Sequence, residues 1–262
     1  MLTGKRALVT GGSRGIGFAI ASTLAAEGAD ISLLARDKDR LDAARQQLSL
    51  GHRVVAFAAD TTDDTAVRAA IERTADELGG GVDILVNAAA EPGGPDSPRS
   101  LAKLVDQDLL AAIDTKVLGY LRCARAVAPH MIASGWGRII NISGLAARTA
   151  GTPSGSIRNV AVAALTKNLA DELGPSGINV TVVHPGMTVT ERTPAVITAY
   201  ARAQGITEAQ AEATMAAGNS IRRIVTAAEV ADVVAFLASP RSVAINGDAI
   251  AAGGGTPGAI HY

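Results

Sequence analysis

Short apolar runs rich in β-branched residues alternate along this chain with stretches dominated by alanine and leucine. The runs are Arg6 to Thr10, Asp30 to Ala35, Arg53 to Ala59, Asp83 to Asn87, Arg138 to Ser143, Ile178 to His184 and Asp248 to Ala252. Runs this short and this uniformly apolar are what strands buried on both faces look like, and a helix is the connection that parallel neighbours require. Ile16, Ile20 and Leu24 keep a helical spacing that stops at Gly28, and Thr226-Ala-Ala-Glu229 has the form of a capping box opening a late helix. The pattern predicts one α/β domain over 1–262, a doubly wound parallel sheet of about seven strands with helices on both faces. Two regions are weakly patterned, Glu91 to Ser100 and Met187 to Arg223. Both follow strand ends, where such sheets keep their ligands, and 187–223 is expected to be a variable substrate loop.

Composition adds exclusions. With 262 residues, 48% of them apolar, the chain can bury a sizeable core. A formal charge of −1 and 3% aromatics leave neither an electrostatic grip on nucleic acid nor a base-stacking surface. No apolar run approaches the roughly 18 residues of a membrane span, and Met1 to Arg6 lead straight into a strand, so a cytoplasmic chain with no membrane partner is expected. The single cysteine, Cys123, sits in a helical apolar pattern and reads as a small core residue. His52, His130, His184 and His261 form no metal-ligand spacing, so no metal is expected.

The first strand runs into Thr10-Gly-Gly-Ser-Arg-Gly-Ile-Gly17, which opens a helix. Glycines at 11, 15 and 17 permit a tight turn and a close backbone approach to a pyrophosphate, while the helix N-terminus presents unbonded N–H groups and partial positive charge. Gly11, Ser13, Arg14, Gly15, Ile16 and Gly17 therefore read as a dinucleotide-binding loop. The second strand ends in Leu34-Ala35-Arg36 rather than in an acid. Arg14 and Arg36 beside one 2′-phosphate favour NADP over NAD, each charge-assisted bond contributing about 1.5–3 kcal/mol. The alternative is that Arg36 pairs with Asp37 or Asp39 on the surface.

The glycine loop, Asp60 after the third strand, Asn87-Ala-Ala after the fourth, and Pro185-Gly186 followed by Thr190 resemble the short-chain dehydrogenase/reductase family. The resemblance runs from Lys5 to the Gly253-Gly254 pair, with Ala89 standing where the family usually has glycine. It implies a Rossmann-type subunit, usually a homodimer or homotetramer, that takes a small-molecule substrate and transfers hydride between nicotinamide and an alcohol or carbonyl. It also implies that Asp60 and Thr61 meet the adenine, that Asn87 and Ala88 line its ribose side, and that Pro185, Gly186, Thr188 and Thr190 hold the carboxamide.

The family's chemistry rests on a tyrosine, a lysine four residues later, a serine thirteen before the tyrosine and an asparagine on the preceding long helix. A phenol exchanges a proton near neutrality only when a nearby ammonium lowers its pKa from about 10. Counting from the fifth strand puts Gly144 at the serine, Ile157 at the tyrosine and Ala161 at the lysine; counting from Gly119 puts Lys116 at the asparagine. None of the chain's tyrosines, Tyr120, Tyr200 and Tyr262, is followed four residues on by lysine, and Lys167 reads as a solvated helix residue. Ile157 is expected to fill part of the space beside a substrate oxygen. The catalytic candidates left are His184, Lys116 and Ser143. Lys116 either reaches toward the vacant lysine position or points to solvent or Asp114; Ser143 is expected to make a structural hydrogen bond; His184 ends the sixth strand near the nicotinamide position. Arg158 and Asn159 either contact an anionic ligand or serve surface and subunit contacts. Three functions stay open: an NADP-dependent oxidoreductase with a remodelled site, a cofactor-binding pseudoenzyme acting as sensor or partner subunit, and a non-redox lyase or isomerase.

Overall fold

Seven strands form one parallel sheet in the computed structural model of the chain, which describes residues 1–49, 51–91 and 101–260. In chain order the strands are β1 (Arg6–Thr10), β2 (Asp30–Ala35), β3 (Val54–Ala58), β4 (Ile84–Asn87), β5 (Gly137–Ile142), β6 (Ile178–Pro185), β7 (Thr188–Val189), β8 (Val225–Thr226) and β9 (Ala249–Ala252). Across the sheet they run β3-β2-β1-β4-β5-β6-β9, while β7 and β8 pair separately. The winding reverses between β1 and β4, which opens a crevice at their carboxyl ends.

The helices are α1 (Gly15–Ala26), α2 (Lys38–Leu48), α3 (Asp64–Leu78), α4 (Asp106–Ile113), α5 (Gly119–Ser134), α6 (Pro153–Leu173), α7 (Thr193–Gln204), α8 (Glu208–Ala216) and α9 (Ala227–Ala238). Consecutive strand residues go to opposite faces. Val9, Leu33 and Ile84 therefore pack under α1, α2 and α9 with Ile20, Leu24, Leu41 and Val234, whereas their neighbours Leu8, Leu34 and Leu85 pack under α3 and α5 with Ile71, Cys123 and Val127. Every residue of β4, β5 and β6 is buried, including the polar Asn87, Asn141, Asn179, Thr181 and His184, because helices cover both faces of the sheet. Cys123 is fully buried and burial pushes its thiol up to about 12, so it behaves as a core residue.

The capping box at α9 is formed: Thr226 accepts from the Glu229 N–H and the Glu229 carboxylate accepts from the Thr226 N–H. The segment 187–223 is not the loop that its weak pattern suggests, because β7, α7 and α8 lie within it. Few of the side chains on α7 and α8 are buried, and a second capping box, Thr207 with Gln210, opens α8. Alanine-rich propensity and capping build these helices, so hydrophobic periodicity gives them away poorly. The other weakly patterned stretch lies, apart from Glu91, outside the described residues. Among the described residues no helix is long and apolar enough to cross a membrane, and no group of side chains could hold a metal ion.

Candidate active site

A cavity of about 520 Å³ occupies the crevice where the winding reverses. The glycine loop forms one wall. Gly11 has φ +66°, and a methyl group there would lie 2.9 Å from the Ala88 carbonyl oxygen and the Ala89 backbone; one at Gly17 would lie 2.3 Å from the Gly11 oxygen. The loop is thus pressed against the segment after β4 on one side and its own helix on the other, which only glycine permits. Thr10 Oγ1 accepts from both the Ala88 and Ala89 N–H groups at 3.1 Å and locks the two strand ends together. Arg14, the residue preceding α1, makes no side-chain cap, so nothing from its side chain covers the first amides of the helix.

Ten of the residues expected to bind a cofactor line this cavity: Gly11, Ser13, Arg14, Gly15, Ile16, Gly17, Arg36, Thr61, Ala88 and Thr190. Five do not. Asp60 turns a carboxylate oxygen to the Thr62 N–H at 2.9 Å, and Thr188 donates its hydroxyl to the Gly186 carbonyl. Asn87 donates to Asn141 Oδ1 and Asn141 donates to Thr166 Oγ1, both at 2.9 Å, a buried chain linking β4, β5 and α6. Pro185 and Gly186 also stand outside the wall, with a methyl at Gly186 coming within 3.1 Å of Gly253.

The cavity is also lined by Arg40, Glu191 and Arg192, which sequence reasoning missed. A methyl added at Gly15 would lie 3.8 Å from Glu191 Oε2, so this carboxylate reaches over the glycine loop. Glu191→Gln is expected to tighten NADP(H) binding about threefold to tenfold by removing a charge of the pyrophosphate's own sign, read by calorimetry; an unchanged or weaker affinity would contradict it. Arg36 does not pair with Asp37 or Asp39. Its guanidinium donates to Glu91 at 2.5 Å, while Asp37 caps α2 through the Arg40 N–H and pairs with the Arg40 side chain. Arg36 and Glu91 are both about half exposed, so a phosphate can displace this contact at small cost.

Lys116, with Thr115, Ile142 and Ser143, lines the inner end. It sits in a wide turn, Asp114–Leu118, that joins α4 to α5 and carries the Gly119 N–H back to the Asp114 carbonyl, five residues earlier. Lys116 is 4% exposed, which corrects the alternative that it points to solvent; Asp114 is instead bonded by Arg122. Its Nζ donates to the Ser143 carbonyl at 2.9 Å and to Asn159 Oδ1 at 2.8 Å. Burial, with Arg158 second, pushes its pKa down to about 7. Ser143 Oγ donates to the Asn159 carbonyl at 3.0 Å, the structural bond expected of it, and the Tyr120 hydroxyl donates to the Ile142 carbonyl at 2.8 Å with its pKa raised by burial. His184 is 2% exposed, and its Nδ1 has no partner among the described residues. Burial first, then Arg148 and Lys116, lowers its pKa to about 4, so it is neutral near pH 7.

On α6 the buried stripe is Asn159, Val162, Thr166, Ala170 and Leu173. Ile157, placed at the tyrosine position by counting from β5, is 44% exposed and is not among the residues that line the cavity. The α6 residue that meets Lys116 is Asn159.

The comparisons with known proteins agree with this architecture. A profile of the short chain dehydrogenase family matches residues 5–201. The chain belongs to the short-chain dehydrogenase family. Short-chain reductase protein NovJ of Streptomyces niveus is 34% identical over 96% of this chain and 93% of its own length, and the oxidoreductase UcpA of Escherichia coli K12 is 36% identical over 94% and 92%. L-Sorbose reductase from Gluconobacter frateurii, solved with NADPH and L-sorbose, superposes with a TM-score of 0.91 at 30% identity, covering 99% of this chain and 98% of that one. Lys116, on the turn before α5, and Asn159, on α6, are bonded directly to each other.

Proposed function

We propose that the chain is an NADP(H)-dependent oxidoreductase acting on an alcohol/carbonyl pair, with Lys116 as the proton carrier in place of a tyrosine. The observation that carries this reading is a buried ammonium at the inner end of the dinucleotide cavity, with a pKa near 7 and two fixed acceptors. NADP(H) suits the walls: the glycine loop for the pyrophosphate, Arg36, Arg40 and Arg14 for a 2′-phosphate, and the neighbouring L-sorbose reductase and a Burkholderia cenocepacia short chain dehydrogenase were solved with NADPH and NADP. The chemistry that a bound NADPH supplies is the hydride.

The proton comes from the protein. An ammonium has three N–H donors, of which the Ser143 carbonyl and Asn159 occupy two. The third is the proton delivered to the substrate oxygen, after which neutral Lys116 keeps its two N–H bonds and turns a lone pair toward the oxygen. Reprotonation from water restores it. A pKa near ambient pH is what acid–base exchange in both directions calls for. His184, neutral near pH 7, is the poorer donor, and the Tyr120 phenol is held by Ile142 away from that task.

The pseudoenzyme reading keeps one supporting observation, the lack of any tyrosine on α6. Following reduced-nicotinamide absorbance with a carbonyl panel decides between them: consumption of NADPH supports the oxidoreductase, and tight NADPH binding with no consumption supports the sensor. Arg36→Ala is expected to weaken NADPH binding by about tenfold or more with little effect on NADH, measured by calorimetry. An equal loss for both dinucleotides would remove the 2′-phosphate role of Arg36.

A further inference from the structure

Lys116 differs from the other lysines in what surrounds its amine. Lys38 and Lys167 are exposed and paired with Asp42 and Asp171, Lys103 is exposed, and Lys5 lies 3.7 Å from the centre of the Trp136 ring and 4.0 Å from Asp83. Lys116 is buried, and its Nζ meets no carboxylate among the described residues: both of its acceptors, the Ser143 carbonyl and Asn159 Oδ1, are neutral. None of the other titratable groups around it supplies an anion. Arg158 of α6 repels it, His184 of β6 is neutral near pH 7, the Tyr120 phenol is bonded to the Ile142 carbonyl, and Asp114 on its own turn is held by Arg122. Two acceptors are the number that a neutral amine, with two N–H groups, can satisfy. Its lone pair then meets no donor among the described residues, and Lys116 lines the inner end of the cavity with Thr115, Ile142 and Ser143.

We infer that Lys116 is also a nucleophile, whose Nζ condenses with small aldehydes and unhindered ketones that enter the inner end of the cavity to form an imine. Desolvated lysines are the ones suited to this chemistry. With a pKa near 7, about half of the amine is neutral at pH 7, against on the order of one in 10³ for a lysine in water. The Nζ lone pair attacks the carbonyl carbon, the π pair moves to oxygen, and a proton passes from nitrogen to that oxygen. The hydroxyl of the resulting carbinolamine takes a proton from water and leaves as water, while the remaining nitrogen pair closes the C=N bond. The iminium keeps one N–H for one of the two acceptors, and its loss to the hydroxide left behind gives the imine. One carbonyl and one amine thus yield one imine and one water, with no oxidant or reductant. The charged amine serves reduction and the neutral amine makes this bond, so imine formation needs no dinucleotide and stands apart from the oxidoreductase reading.

The test exposes the whole protein at pH 7 to acetone, and separately to propanal, with cyanoborohydride, which converts an imine into a stable secondary amine. Peptide mass mapping after short exposure compares Lys116 with Lys38, Lys103 and Lys167. Lower basicity and a narrower approach offset part of the advantage in neutral fraction, and Lys116 is still expected to be labelled about tenfold or more faster than each of the three. The ratio should shrink toward pH 10, where exposed lysines lose their protons too, and vanish when the protein is first unfolded in urea. Labelling of Lys116 no faster than that of the exposed lysines, or a ratio that grows with pH, would overturn the nucleophile. All of this is read on the unaltered protein, so no variant has to fold. Rapid labelling of Lys116 in a protein that oxidises no NADPH against a carbonyl panel would uphold the imine and sink the proton-carrier reading. NADPH oxidation by a protein whose Lys116 stays unlabelled would do the reverse.

Discussion

Lys116→Met is expected to lower kcat/KM for carbonyl reduction by roughly 10²–10⁴-fold while NADPH still binds. Methionine keeps the length of the side chain but offers no proton. Reduction requires the ammonium, so in the unaltered protein its rate should fall as pH rises through about 7, and oxidation of the alcohol should rise over the same range. Both limbs should vanish in Lys116→Met. Asn159→Asp sets an anion against Nζ in place of a neutral amide, which favours the charged form and should move the limb to higher pH. Wild-type turnover in Lys116→Met, or a limb indifferent to Asn159→Asp, would remove Lys116 from the chemistry.

The same group leaves a mark on stability. Its folded pKa is near 7, against about 10.4 in the unfolded chain. Between those values the unfolded state binds more protons, so stability rises with pH across that window and the charge penalty is fully present below it. Relative to the parent, Lys116→Met should therefore stand highest in stability below pH 7 and lose ground toward pH 10, while the Ser143 carbonyl and Asn159 Oδ1 left without their donor add a cost that does not vary with pH. Thermal unfolding at several pH values reads this directly.

Gly17→Ala is expected to weaken NADPH binding by about 100-fold or more. The new methyl would start 2.3 Å from the Gly11 carbonyl oxygen, and both partners are backbone, so no side chain can swing aside. The first turn of α1 must move off the loop, and the unbonded N–H groups that receive a pyrophosphate move with it. Overpacking of this kind also costs about 1–3 kcal/mol of stability. Calorimetry with NADPH, alongside a melting curve, separates the two effects; an affinity within a few-fold of the parent would mean that the dinucleotide does not lie on this turn.

The sheet and the glycine loop were legible in the sequence because each has a local cause. A strand such as β4, buried on both faces, is written as an apolar run, Ile84-Leu85-Val86, and the loop at 11–17 needs glycine whatever the rest of the chain does. The inner site was not legible, and α6 shows why. Its buried stripe includes Asn159 and Thr166, polar residues satisfied by Lys116 and Asn141, so apolar periodicity does not mark the face that turns inward. Counting from β5 through the intervening turn lands on Ile157, off that face. Lys116 looked like any helical lysine because its partners, Ser143 and Asn159, come from elements more than twenty residues away. Pairing of Arg36 with Glu91 spans the crevice and has no local signature either.

The wide turn between Asp114 and Leu118 amounts to one surplus residue in what would otherwise be a continuous rod. A single residue is worth about 100° of rotation about a helix axis. Whether an amine at position 116 looks inward is consequently a matter of phase as much as of residue type: the same lysine in an unbroken rod would be carried around toward another flank. Relatives that share this lysine are comparable in chemistry only if they also carry the extra step that aims it.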